Sequence, residues 1–251
     1  MKTSKQWIDY FKENSQRNRI DWNLQPTITA EEIKTVLKSL QAWQLGETSD
    51  GHNLINASRL YAAKVDDALY VEAVKLFIKE EQKHGNNLGR YLDLIGEKRI
   101  KKDWGDSLFR KVRYFNTSME AWTLAVITVE SAAQVFYQSL KNATDCTLLK
   151  QICTDILIDE APHIVFQQER FAMIFELKTS FNKVISWHFY KYFFIATTLV
   201  VWVAHRRLFK AGNNNFRQYY KKMMMKFYKT IGSLKPEIVK PKHQYNYKTS
   251  F

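Results

Sequence analysis

Two short stretches of the sequence carry residue types that could bind a metal ion together. Glu81 and His84 stand three residues apart, and Glu160 and His163 repeat this spacing later in the chain. Residues three apart on a helix share one face, so a carboxylate oxygen and an imidazole nitrogen can reach the same ion. By chance, about 0.3 such pairs are expected from this composition. Two pairs therefore indicate a metal site, although either pair alone is more often an ordinary salt bridge.

The helices that would carry these residues are visible in the spacing of the apolar positions. Glycine and proline are scarce, with eight and four copies in 251 residues, and this favours an all-α fold. The capping-box pattern Thr29-x-x-Glu32 predicts that a long helix begins there, with one inward stripe from Leu40 to Tyr61. Three further long helices are predicted over residues 67–95, 118–140 and 147–177.

Two kinds of residue interrupt these helical patterns. Gly85 and Gly89 each cost about 1 kcal/mol relative to alanine in a helix interior, so they predict the close approach of another helix. Pro162 lies inside the last predicted helix, where it should kink or bulge the helix or mark a helix start.

Each of the four predicted helices has one acid at the centre of its inward stripe, where an unpaired charge would be costly. One Glu from each of two helices and a Glu-x-x-His from each of the other two is the ligand set of dinuclear carboxylate sites in helical bundles. Four carboxylates also balance the charge of two divalent ions in a dry interior. We therefore predict a dinuclear metal site formed by Glu47, Glu81, His84, Glu130, Glu160 and His163.

The runs Glu80-Glu81-Gln82-Lys83-His84-Gly85 and Asp159-Glu160-x-x-His163 resemble the ferritin-like di-iron carboxylate superfamily, and within it the soluble acyl-ACP desaturases. Over residues 35–177 the resemblance implies a ferritin-like four-helix bundle with one long crossover, to which C-terminal helices are added. It implies two metal ions, either Fe/Fe, Mn/Fe or Mn/Mn. It also implies an O2-dependent oxidase or oxygenase that takes electrons from a partner. The same ligands serve iron-handling and peroxide-detoxifying proteins without an organic substrate, which is the alternative function.

Several other residues are candidates by position. Asp159 could hydrogen-bond a ligand histidine, as metal-bound imidazoles usually require, or be a surface acid. Tyr91 and Tyr137 lie two turns from a predicted ligand, where core packing is favoured over a redox role. Cys146 and Cys153 are seven residues apart on one predicted helix and cannot form a disulfide with each other.

The C-terminal region differs from the rest in charge and hydropathy. Of the net charge of +13, residues 205–251 supply most, with 12 Lys/Arg against one acid. The apolar segment 184–204 has two interpretations: a membrane span or monotopic anchor, or a deeply buried fifth helix. We favour the buried helix because its uncharged run, residues 192–204, is shorter than the roughly 20 residues of a span. The basic residues suit an acidic carrier protein or a membrane surface, and no motif supports nucleic-acid binding.

The sequence thus predicts four parts. They are an N-terminal helix and loop over the bundle (1–28), the four-helix bundle with the metal site (29–178), an apolar and a basic amphipathic helix packed on it (179–235), and a polar tail (236–251). The first residues have no apolar stretch of the secretory kind, so we expect a cytoplasmic protein, with membrane association as the alternative. A homodimer remains open.

Overall fold

A computed structural model describes residues 1–105, 107–108 and 118–236, and every regular element in these ranges is helical. The α-helices are α1 (Ser4–Asn14), α2 (Ala30–Glu47), α3 (His52–Val65), α4 (Leu69–Leu94), α5 (Met119–Asn142), α6 (Thr147–Glu176), α7 (Ser180–Ala211) and α8 (Phe216–Lys229). A short 3-10 turn follows at Ile231–Leu234. The all-α prediction is confirmed, whereas nearly all of the polar tail and part of the predicted crossover lie outside the described residues.

The ends of the central helices follow the local signals in the sequence. The Thr29 side chain accepts a hydrogen bond from the backbone of Glu32, whose carboxylate caps Thr29 in return, and α2 starts there as predicted. The Ser118 side chain accepts a hydrogen bond from the backbone of Ala121 and caps α5. Gly96 takes a φ of +73°, just after the end of α4. Pro162 lies inside α6, so it does not mark a helix start.

The predicted stripe from Leu40 to Tyr61 is divided between two helices, because the chain breaks between α2 and α3. Glu47 is the last residue of α2, and Gly51 precedes α3 with a φ of +66°. A Cβ atom on Gly51 would lie 2.5 Å from Cδ1 of Ile78, so both the backbone conformation and the space require glycine. Reading this stretch as one continuous helix is therefore wrong, and the break falls directly beside a predicted ligand.

The apolar core consists of two clusters with the acidic residues between them. Trp7, Val74 and Phe77 belong to the cluster beneath α1 and α3. Leu88 belongs to the other cluster, which lies between α2, α5, α6 and the C-terminal helices. Along α4, Glu81 therefore lies between Phe77 and Leu88. Full burial of an aliphatic or Phe side chain stabilises a fold by roughly 1.5–3 kcal/mol, so these clusters hold the helices that place the acids.

Helix α7 lies on the bundle with one face and is not deeply buried. Trp187, Tyr190 and Phe194 face inward, whereas Phe189 is 61% exposed and Tyr192 is 67% exposed. Only 22% of its most apolar 18-residue window is buried. The interpretation as a deeply buried helix is therefore wrong. By length and composition alone, α7 is the one helix in the described part of the chain that could cross a membrane.

Candidate metal centre

The structure brings all six predicted ligand side chains together at the middle of the bundle. They form two overlapping groups, in each of which one potential ligand atom per residue lies within 4.8 Å of the others. The first group is Glu47, Glu81, His84 and Glu160, and the second is Glu81, Glu130, Glu160 and His163. Because two of the glutamates belong to both groups, they are positioned to bridge two ions, with one histidine and one further glutamate on each side.

Gly85 allows the end of α2 to reach the centre. A Cβ atom at this position would lie 2.8 Å from Cγ2 of Thr48 and 3.1 Å from the carbonyl carbon of Glu47. The predicted close approach of a helix is therefore confirmed at Gly85. It is wrong at Gly89, where a Cβ atom would meet the guanidinium group of Arg99 instead.

Several buried ligand atoms at the centre have no hydrogen bond. Nδ1 of His84 makes none within the described residues, and Oε1 of Glu160 lies 3.9 Å from it. Nδ1 of His163 lies 2.7 Å from Oε1 of Glu81, but without the geometry of a hydrogen bond. Buried polar atoms without partners are rare because each forfeits its interaction with water. One cation in each of the two groups would satisfy these atoms, so the donor set fits two divalent ions.

The electrostatics of the four central carboxyls also favour bound cations. Burial and then the charge of Glu81 raise the pKa of Glu47 well above its ordinary value. Burial and the charge of Glu130 raise the pKa of Glu160 in the same way, and burial with Glu81 raises the pKa of Glu130 to about 7. Burial opposes ionisation of Glu81, but His163 outweighs it and lowers the pKa of Glu81 to about 2. Without added positive charge, the cluster therefore retains protons that two divalent ions would displace.

A carboxylate from the opposite helix contacts Nε2 of each histidine, on the side of the ring away from Nδ1. Nε2 of His84 lies 3.1 Å from Oδ2 of Asp159, and Nε2 of His163 lies 2.7 Å from Oε2 of Glu80. When Nε2 carries the proton and donates it, Nδ1 is left as a free ligand atom on the side of the other ligands. The expected contact between Asp159 and a candidate ligand histidine is confirmed. Glu80 was missed, although it precedes Glu81 just as Asp159 precedes Glu160.

The N-terminal segment completes this outer layer of hydrogen bonds. The side-chain amide of Asn14 donates both to Oε1 of Glu80 and to Oδ1 of Asp159, the latter over 2.8 Å. Arg19 donates to Oδ1 of Asp159 over 2.9 Å, and Lys83 donates to Oδ2 over 2.6 Å. Burial opposes ionisation of Asp159, but His84, Lys83 and Asn14 together outweigh it and lower its pKa. Asn14 and Arg19 have no sequence spacing relative to the ligands that could have identified them.

The two candidate tyrosines differ in their contacts. The hydroxyl of Tyr137 donates to Oε1 of Glu47 over 2.7 Å, so this residue touches a candidate ligand. Burial, with the charge of Glu47 next, raises the pKa of Tyr137 well above its ordinary value, and the phenol remains a neutral donor. The hydroxyl of Tyr91 contacts Sγ of Cys146 within the apolar core instead. Cys146 and Cys153 are both free, as predicted.

Two cavities lie beside the centre and share part of their walls. The first, of about 160 Å³, is lined by Glu47, Glu81 and Glu130, by residues of the break between α2 and α3, and by aromatic and aliphatic residues. The second, of about 280 Å³, is lined mainly by apolar residues of α2, α5 and α7. Trp43 and Val129 border both cavities. The cluster therefore adjoins the first cavity, and the second lies on the other side of Trp43 and Val129, beside α7.

No protein-family model matches the chain, and no curated protein matches it. Solved structures do match. Three of them are variants of an R2-like ligand-binding oxidase with a reconstituted Mn/Fe cofactor. Two were reconstituted aerobically, and each is 17% identical to this chain. The first alignment covers 92% of this chain and 95% of the neighbour, with a TM-score of 0.66; the second covers 92% of both, with a TM-score of 0.65. One was reconstituted anaerobically and is 18% identical over 92% of both chains, with a TM-score of 0.63.

The helical bundle and these structural neighbours define the fold class. The chain has the ferritin-like helical fold of these oxidases, as the sequence motifs predicted. The particular neighbours are R2-like ligand-binding oxidases rather than desaturases, so the finer resemblance to acyl-ACP desaturases stays a prediction.

Proposed function

We propose that this protein binds two metal ions and acts as an O2-dependent oxidase or oxygenase on an apolar organic substrate. The observation that carries the proposal is the pair of overlapping four-residue groups that share Glu81 and Glu160. Candidate ligand atoms this close and buried, several of them without hydrogen bonds, are expected of a site that is completed by cations. The structural neighbours contain Mn/Fe, and we propose iron, alone or with manganese, for this chain.

The chain's own residues would bind, orient and enclose the reactive centre. A metal pair of this kind supplies the activation of O2 for oxidation of a C–H or N–H bond. Nδ1 of His84 and Nδ1 of His163 would each bind one ion, while Asp159 and Glu80 keep both rings oriented. The apolar clusters on either side exclude water, which strengthens the interaction of the carboxylates with the ions.

The adjoining cavities favour a substrate over simple iron storage. Iron storage does not require apolar space at the metal centre, whereas a ligand site is usually a largely apolar cavity with a few polar groups. Here Trp43, Phe77 and Trp122 line a cavity together with the carboxylates of Glu47 and Glu130. We therefore propose an elongated apolar substrate whose reacting atom lies near Glu47 and Glu130.

The metal content of the purified protein tests the proposal directly. The protein is loaded anaerobically with Fe(II), or with Mn(II) and Fe(II), and bound metal is counted before air is admitted. We expect close to two ions per chain, followed by O2 uptake and a new absorption band. Glu160→Ala should lose metal and O2 uptake. Glu72→Ala removes a half-exposed acid from α4 and should retain both.

Three outcomes would refute the proposal. One is a protein that binds no metal, and another is equal metal content in the Glu160→Ala and Glu72→Ala proteins. The third is the uptake of many irons per chain into a large shell, which would instead establish the iron-handling alternative.

A further inference from the structure

The outward face of α7 carries a continuous row of exposed apolar side chains. Phe181, Ile185, Phe189, Tyr192, Leu199 and Val203 are 74%, 53%, 61%, 67%, 41% and 60% exposed. Their spacing of three, four or seven residues places them on one side of the helix. At 1.5 Å per residue, the row is about 33 Å long. We call these six residues the α7 row. Contiguous apolar surface of this kind marks a contact with another body.

The charge around the α7 row indicates what kind of surface the row contacts. Residues 180–236 contain 11 Lys/Arg and not one Asp or Glu. Arg206, Arg207 and Lys210 are exposed at the C-terminal end of α7, and Arg217 and Lys221 are exposed on α8. Two copies of this region facing each other would repel. An anionic surface would attract it, and the surface must also accept a long row of apolar and aromatic side chains.

The inward face of α7 shows that the helix lies along such a surface rather than crossing it. The hydroxyl of Tyr190 donates to Glu120 of α5, and Nδ1 of His205 lies 3.0 Å from the hydroxyl of Ser39 on α2. Trp187 and Phe194 pack into the main core cluster. A span would have to remove these contacts from the bundle and leave their polar groups without partners.

We propose that the α7 row is a monotopic docking surface for an anionic lipid bilayer. The apolar side chains enter the boundary between headgroups and acyl chains, and the Lys and Arg side chains of α7 and α8 contact the phosphates. Phe193, Val200 and the exposed Ala196 of α7 also line the 280 Å³ cavity, which shares Trp43 and Val129 with the cavity at the metal centre. A substrate dissolved in the membrane could enter through this cavity. That entry route rests on the proposed function, whereas docking on the bilayer does not depend on it.

Vesicle sedimentation with the full chain tests the docking. The vesicles are phosphatidylcholine alone or phosphatidylcholine with 30 mol% phosphatidylglycerol. We expect binding to the anionic vesicles, and we expect added salt to weaken it. Each Lys or Arg side chain that contacts a phosphate should raise the affinity about fivefold. The double variant Phe189→Glu/Tyr192→Glu should lose binding at least tenfold. Leu60→Glu changes a 73% exposed apolar residue on α3 and should bind like the unchanged protein.

Further measurements keep this test independent of folding and of the proposed function. Circular dichroism, metal content and O2 uptake are compared for all proteins, and docking is also measured without metal. Unchanged metal content with lost vesicle binding supports the proposal. The proposal is overturned if the unchanged protein binds neither kind of vesicle, even if it binds an acidic protein. It is also overturned if the double variant binds vesicles as well as Leu60→Glu does. A light-scattering mass showing a dimer that the double variant dissociates would also overturn it, because a second copy would then cover the row.

Discussion

Replacing Gly85 with alanine tests how closely α2 must approach α4 for the metal centre to form. Two terms oppose each other. Alanine is favoured over glycine by about 1 kcal/mol in a helix interior. The added Cβ, however, would lie 2.8 Å from Cγ2 of Thr48 and 3.1 Å from the carbonyl carbon of Glu47. Inserting a group into such a contact typically costs about 1–3 kcal/mol. Because the backbone of Glu47 cannot rotate away, we expect the steric term to dominate.

Gly89→Ala is the matched control on the same helix. There the new Cβ meets the guanidinium of Arg99, whose side chain is 44% exposed and can move aside. The control should keep most of the helix-propensity gain. Relative to Gly89→Ala, we therefore expect Gly85→Ala to lower the free energy of unfolding of the metal-free protein by about 1–3 kcal/mol, as measured by urea denaturation.

Metal titration gives a second measure of the same substitution. Displacing Glu47 should lower the affinity for an ion bound by Glu47 and His84 more than the affinity for an ion bound by Glu130 and His163. Since small disturbances around ligands typically change metal affinity about 10–100-fold, the two binding steps should separate in Gly85→Ala. The reasoning is refuted if Gly85→Ala is at least as stable as Gly89→Ala and binds both ions with unchanged affinity.

Three further predictions concern the hydrogen bonds and protons of the centre. Asp159→Asn should weaken metal binding about 10–100-fold because the amide cannot orient His84 as a carboxylate does; equal metal titrations for both proteins would contradict this role. Tyr137→Phe should lower the free energy of unfolding by about 1–3 kcal/mol because Glu47 loses a buried donor; unchanged urea denaturation would count against it. Burial raises the pKa of Glu130 to about 7. Its protonated form favours the fold, so the stability of the metal-free protein should fall as pH rises from about 4.5 to 7. Metal affinity should rise over the same range, and a metal affinity that is flat across this pH range would rule out the proton release.

The grouping of the six candidate ligands could be predicted from the sequence because helical spacing is a local property. Glu81 with His84, and Glu160 with His163, need only an i, i+3 relation on one helix. Glu47 and Glu130 followed because each interrupts an apolar stripe. The reciprocal role of Glu80 was also within reach, since the acid before each Glu-x-x-His pair repeats.

The parts that sequence reasoning missed depend on contacts between distant segments or on backbone conformation. Gly51 fits a small position on a continuous stripe, and only its φ of +66° reveals the break that shapes the first cavity. Asn14 reaches Glu80 and Asp159 from another helix, with no spacing to announce it. The exposure of α7 depends on how many sides of the helix the bundle covers, and hydropathy cannot distinguish a helix covered on one side from one covered on all sides.

The hydrogen bonds behind the two histidines make the halves of the centre chemically unequal despite their repeated motif. Asp159 shares its charge with Lys83 and Arg19 as well as His84, whereas Glu80 has only Asn14 beside His163 in the described part of the chain. Glu80, the less neutralised carboxylate, accepts the stronger hydrogen bond from its histidine ring. His163 is therefore a stronger electron donor than His84. An ion bound next to His163 would thus be better able to carry the higher charge. If two different metals bind, this inequivalence would give two similar motifs a physical basis for distinguishing them.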